Sequence, residues 1–180
     1  MSRAAITAFS MSAIHTVHKI HQILIIDGYA LPERLPPLIQ TNIESVARIY
    51  SQALHKVWSG TELRAFIQYH IGTDALWAFD YLQPYSYKSD LARFCLLYVE
   101  GGIYIYIDLG VRLMNSWRIP IKYGIGAFRD VRFMSSSWAA MQLGLLWSKP
   151  GRPELEQAID WIIGNCRTHF YGEKRAIVSP

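Results

Sequence analysis

The chain has 180 residues, 51% of them hydrophobic and 18% charged, with a net charge of +4 and an isoelectric point near 9.1. That balance excludes a disordered chain and gives one domain with a sizeable core. No apolar run reaches the roughly 18 residues that a membrane span needs, and the basic residues are scattered, which argues against nucleic acid and suits a small anionic ligand.

Residues 1–13 read as an N-terminal tail or a leading helix rather than a targeting segment, because serines and a threonine interrupt the apolar run after Arg3 and make it a poor secretory signal. The domain proper is expected over residues 14–180. Two isolated cysteines, Cys95 and Cys166, make neither a disulfide framework nor a metal motif and point to a reducing, cytoplasmic compartment, with the lumen of the secretory pathway as the alternative.

Lys19 to Ile26 is short, rich in isoleucine and stopped by the turn signal Asp27-Gly28, so it reads as a buried parallel strand. His15, His18 and His21 recur every third residue. On a strand His18 faces away from the other two, so the spacing makes no metal site. After a proline-rich loop, Leu38 to Lys56 carries Ile39, Ile43, Val46, Ile49, Tyr50 and Leu54 at helical spacing. His55 to Trp58 is expected to be the second strand, and Trp58 at its end serves either the core or a stacked nucleobase. A helix follows over Thr61 to His70, opened by Ser59 or Thr61, and another over Asp74 to Tyr81. Alternating strands and helices make the class α/β.

The most informative stretch is Tyr87 to Val111, YKSDLARFCLLYVEGGIYIYIDLGV. Leu91, Phe94, Leu97 and Tyr98 form a helical stripe, with Ser89 as the expected N-cap. Gly101-Gly102 stops the helix. From Ile103 the pattern alternates: Ile103, Ile105, Ile107 and Leu109 share one face, and Tyr104, Tyr106 and Asp108 the other. A carboxylate near the end of a buried strand needs a cation, a donor or a metal. Beyond Val111 a strand is expected around Ile125 to Phe128. Trp138 to Ser148 reads equally as a strand pair or a buried helix, and Pro153 opens a helix over Glu154 to Cys166.

Lys88, Ser89, Asp90, Leu91 and Arg93, then Gly101, Gly102, Ile103 and Tyr104, then Asp108, resemble glycosyltransferases with a sugar-binding region containing a D-x-D motif. That group includes initiating mannosyltransferases, capsular-polysaccharide sugar transferases and, more distantly, clostridial glucosylating toxins. Lys19 to Ile23 is similar to the group's opening strand, Lys149-Pro150-Gly151 to its turn before a helix, and Val178-Ser179-Pro180 to a stretch after which related chains continue. Tyr106 stands where the group has the first Asp of D-x-D.

The resemblance implies a single-domain GT-A-like, Rossmann-like open and mostly parallel sheet flanked by helices, truncated at its C-terminus relative to the group. It implies transfer of a sugar from a UDP- or GDP-sugar donor to a hydroxyl acceptor on a glycan, lipid or protein, with retention and assistance from Mn²⁺ or Mg²⁺. His21, Gln22 and Trp58 would lie at the nucleotide. Asp90 and Arg93, three apart on one helix face, would grip the donor sugar. Asp108 would hold the metal and Tyr106 would contact the donor. A phenol is neutral at pH 7 and a poor ligand for a hard cation. The alternative is therefore a catalytically impaired relative that binds sugar nucleotide or a partner protein.

Overall fold

The structure, a computed structural model, describes residues 14–15, 17–107, 116–117, 119–120, 123–129 and 141–170. The described elements in chain order are β1 (Ile14–His15), β2 (Lys19–Leu24), α1 (Pro37–Ile49), β3 (Leu54–Ser59), α2 (Gly60–His70), α3 (Thr73–Tyr81), α4 (Tyr85–Glu100), β4 (Gly102–Ile105), β5 (Ile119–Pro120), β6 (Ile125–Arg129), β7 (Met141–Ser148) and α5 (Pro153–Thr168). None of these helices is long and apolar enough to cross a membrane.

Five strands form one sheet in the order β3-β2-β4-β7-β6. β2 pairs parallel with both β3 and β4, whereas β7 runs antiparallel to β4 and to β6. Four strands thus share a direction and β7 opposes them, which makes the sheet open, mixed and mostly parallel. Two-residue strands β1 and β5 pair separately.

Period-two alternation divides the core between the faces of the sheet. Ile20, Ile103, Ile105 and Trp147 pack with Val46 of α1 on one face. Ile23, Tyr104 and Leu146 pack on the other with Leu63, Phe79, Leu91, Leu96 and Ile159 from α2 to α5. Cys95 is fully buried in that second layer, as its place in the apolar helix requires. Helices therefore cover both faces, as a parallel sheet demands.

Several boundaries differ from the sequence pattern. α1 ends at Ile49, not Lys56, because β3 is drawn into register with β2 from Leu54↔Lys19 to Ser59↔Leu24. α4 starts at Tyr85, one turn before Ser89. Pro84 holds the N-cap position, so the chain enters the helix directly from the proline. Ser89 lies buried in the helix and its carbonyl accepts from Arg93 Nε at 3.3 Å. α2 does open at Ser59, with a reciprocal box in which Ser59 and Glu62 bond each other's backbone. The apolar 138–148 segment is a strand over Met141–Ser148, edge-on to no solvent because β4 and β6 flank it.

The glycine pair is required by contact as well as conformation. Gly101 and Gly102 have φ of 63° and 96°. A Cβ on Gly102 would stand 2.5 Å from the Lys19 carbonyl oxygen, and one on Gly101 2.7 Å from Pro150 Cδ. The turn from α4 into β4 is thus seated directly on β2 and on the loop before α5.

Candidate active site

Strand order predicts where a ligand binds. β2 leads to β3 on one side and, after α2 to α4, to β4 on the other, so the topology reverses between β2 and β4. In open α/β sheets the crevice beyond the carboxyl ends of such strands is the binding place. A cleft of about 330 Å³ lies there, lined by Leu24 and Ile25 after β2, Tyr106 and Ile107 after β4, Ile39 of α1, and Tyr85, Ser86 and Ser89 of α4. The positive end of the α4 dipole faces this cleft, which favours an anion. Tyr85 donates to Asp27 Oδ1 at 2.6 Å and packs edge-on against Tyr29, which ties the turn after β2 to the start of α4.

Tyr106 leaves the sheet with its N–H donating to the Gly144 carbonyl at 2.8 Å. Its side chain lines this cleft and also a second one with Phe128, Gln142, Gly144 and Leu145, so it forms the partition between them. Because β7 is antiparallel, its first residues lie beside the end of β4 and wall the site. Asp108, the expected metal ligand, lies outside the described residues.

Asp90 and Arg93 do come together. Arg93 is buried and makes four contacts: Asp90 Oδ1, the Ser89 carbonyl, the Leu143 carbonyl at 2.6 Å, and the face of the Tyr104 ring with its carbon 4.5 Å from the centroid. It therefore bridges α4, β4 and β7. Burial pushes the Asp90 carboxyl above its usual range, opposed by the Arg93 charge.

Tyr104, on the same strand face as Tyr106, is the residue that alternation alone did not single out. It is fully buried and its hydroxyl has no hydrogen-bond partner among the described residues. Burial pushes its phenol up to about 12, so it stays a neutral donor and acceptor. An orphaned buried hydroxyl is costly and suits a ligand that brings its own polar group. The sequence signal was its place in the period-two set with Tyr106 and Asp108.

His21, Gln22 and Trp58 do not join this group. An indole can only donate, so Trp58 Nε1 donates to His21 Nδ1 at 3.1 Å, and His21 Nε2 then donates to the Gly101 carbonyl at 2.9 Å. Both ring nitrogens are used within the protein, and burial lowers the His21 pKa. The Trp58 ring is buried edge-on to Phe66, with the Lys56 amine 3.7 Å from its centroid. Gln22 accepts from His55 Nε2 at 2.8 Å on the opposite face of the sheet, while its own Nε2 is buried with no hydrogen-bond partner among the described residues. Lys88 is neither solvated nor at the cleft: its amine donates to the Phe79 and Asp80 carbonyls at 2.6 and 3.1 Å and closes the C-terminal end of α3.

The described lining of the cleft offers phenols and hydroxyls and no carboxylate. A hard divalent cation prefers several carboxylate or carbonyl oxygens, so these residues alone do not hold Mn²⁺ or Mg²⁺, and Asp108 would have to supply the carboxylate. They fit hydroxyl-bearing ligands.

Residues 36–120 match the model of the glycosyltransferase sugar-binding region containing a DXD motif. An uncharacterized glycosyltransferase of Acanthamoeba polyphaga mimivirus is 26% identical over 146 residues, covering 81% of this chain and 53% of that protein. The chain thus spans about half the length of the curated relative it matches. The solved PaToxG glycosyltransferase superposes with a TM-score of 0.59 at 16% identity, covering 88% of this chain and 65% of that one, which supports the GT-A-like fold. Residues 36–120, a little under half of the chain, are thus similar to glycosyltransferase sugar-binding regions that contain a DXD motif.

Proposed function

We propose that the chain is the donor-binding part of a glycosyltransferase that moves a sugar from a UDP- or GDP-sugar to a hydroxyl acceptor. The observation that carries this reading is the cleft at the β2/β4 switch point, walled by Tyr106 and the first turn of α4, both of which fall in the segment that matches the family model. The diphosphate would lie toward the positive end of α4. The sugar would lie toward Asp90, Arg93 and Tyr104, whose carboxylate, guanidinium and orphaned hydroxyl can fix a hydroxyl-rich ring. No side chain there is an evident nucleophile, so positioning and electrostatic stabilisation of the leaving diphosphate carry the rate.

A divalent cation would supply further charge neutralisation at the diphosphate. Of the two D-x-D positions only Asp108 retains a carboxylate for it. Tyr106 replaces the other and favours a second reading, sugar-nucleotide binding with little or no turnover.

Calorimetric titration with UDP-glucose and GDP-mannose, with and without Mn²⁺, tests the proposal on this chain and on Asp108→Ala. Donor binding that weakens in the variant is expected. A folded chain that binds neither donor overturns it. Donor hydrolysis dependent on Asp108 separates the enzyme from the binding module.

A further inference from the structure

Beside the donor cleft lies a smaller cavity, of about 210 Å³, between the start of α4 and the end of α5. Its walls include Leu82, Tyr87, Asp90, Ile162, Asn165 and Phe170. Drug-sized ligands begin at roughly 300 Å³, so this cavity suits one sugar-sized ring rather than a nucleotide. Its polar groups include the Asp90 carboxylate, the Asn165 amide and the Tyr87 phenol. Arg93 occupies Asp90 Oδ1, and Oδ2 has no partner among the described residues.

An exposed aromatic platform leads to the cavity. On α3, Trp77 and Tyr81 are one turn apart with rings stacked at 5.2 Å and 23°, and Trp77 is 43% exposed. The Tyr81 hydroxyl and His169 Nδ1 are hydrogen-bonded at 2.5 Å. Their immediate successors, Leu82 and Phe170, both line the cavity. One bond therefore fixes the platform to the cavity rim and joins the ends of α3 and α5.

We propose that this platform and cavity bind a carbohydrate acceptor, with a pyranose stacked on the outer face of Trp77, which Tyr81 backs, and its neighbour's hydroxyls at Asp90 and Asn165. The inference rests on the donor-cleft reading above and adds the acceptor class to it. A pyranose presents C–H groups on its face and hydroxyls round its edge. The negative face of an aromatic ring attracts the former, while a carboxylate and an amide bond the latter. A lipid chain would leave Asp90 and Asn165 unpaired, and a second diphosphate would meet the Asp90 carboxylate. Asp90 borders this cavity and pairs with Arg93, so an acceptor hydroxyl there stands next to the proposed donor sugar.

Saturation-transfer NMR with methyl glucoside, methyl mannoside, methyl galactoside and the corresponding disaccharides tests this on the chain and on Trp77→Ala and Trp77→Phe. Donor titration is run on the same samples. Glycoside binding is expected in the parent, weakened about tenfold in Trp77→Ala and largely retained in Trp77→Phe, with donor affinity equal in all three. Absence of glycoside binding in the folded parent, or binding indifferent to Trp77→Ala, overturns the proposal. The donor titration then reports separately on the cleft: donor bound without glycoside leaves the transferase reading and points to a protein or lipid acceptor. Glycoside bound without donor keeps the platform and removes the cleft assignment.

Discussion

Trp58 and His21 are joined across β3 and β2 by a hydrogen bond from the indole to Nδ1, which fixes the imidazole as the Nε2–H tautomer and aims that proton at the Gly101 carbonyl. The ring is a neutral connector between two strands and the end of α4. Protonating Nδ1 would remove the acceptor that Trp58 needs.

Stability should consequently depend on pH. Burial lowers the folded pKa of His21 and also of His55 below the usual 6.5. Between the folded and unfolded values the unfolded chain binds more protons, so stability is full above about pH 6.5 and falls as pH drops below it, at up to ~1.4 kcal/mol per pH unit for each group. Urea midpoints from pH 7.5 to 5 should show this slope. His21→Phe should be less stable at neutral pH, since Trp58 and Gly101 lose their partner, and should show a shallower slope.

The turn before β4 tolerates no side chain. Gly102→Ala places a methyl 2.5 Å from the Lys19 carbonyl at a φ of 96°. A cost of at least ~2 kcal/mol is expected, read as a lowered midpoint in chemical denaturation. Gly28→Ala, also at positive φ but in open space, should cost less.

Arg93→Met should separate structure from binding. It removes hydrogen bonds to two carbonyls and leaves Asp90 without its counter-charge. Asp90 is partly solvated, so the loss is expected at ~2–3 kcal/mol rather than the 3–5 of a fully buried pair. Asp90→Asn should cost less stability, and its effect on donor or acceptor titration then reports the ligand contact.

Tyr106→Asp restores a carboxylate on the partition between the two clefts. Mn²⁺-dependent donor affinity should rise about tenfold or more, since a phenol contributes little to a hard cation. Affinity and turnover equal to the parent's would show that position 106 does not govern the metal.

Local pattern was enough for most of the framework. The isoleucines of β2, the alternation around Tyr104 and the glycine pair each follow from short-range rules, and the strands and helices stand close to where those rules put them. What local pattern could not supply is partnership across distance. The Leu143 carbonyl that binds Arg93 lies fifty positions away. Phe79 and Asp80 carbonyls claim Lys88, a contact between two helices that no local spacing announces. Two-residue strands such as β1 and β5 carry no periodicity to read. Apolar β7 was ambiguous because strand and buried helix share its composition, and only pairing with β4 resolves it.

The opposed direction of β7 has one more effect. Arg129 and Met141, the last residue of β6 and the first of β7, face each other as a register pair, at the same edge of the sheet as the cleft. That pair is the last of the described β6–β7 ladder. The ladder that completes the sheet also carries Phe128 and Gln142 to the second cleft beside Tyr106, so a substitution at either position acts on the sheet and on the cleft wall together.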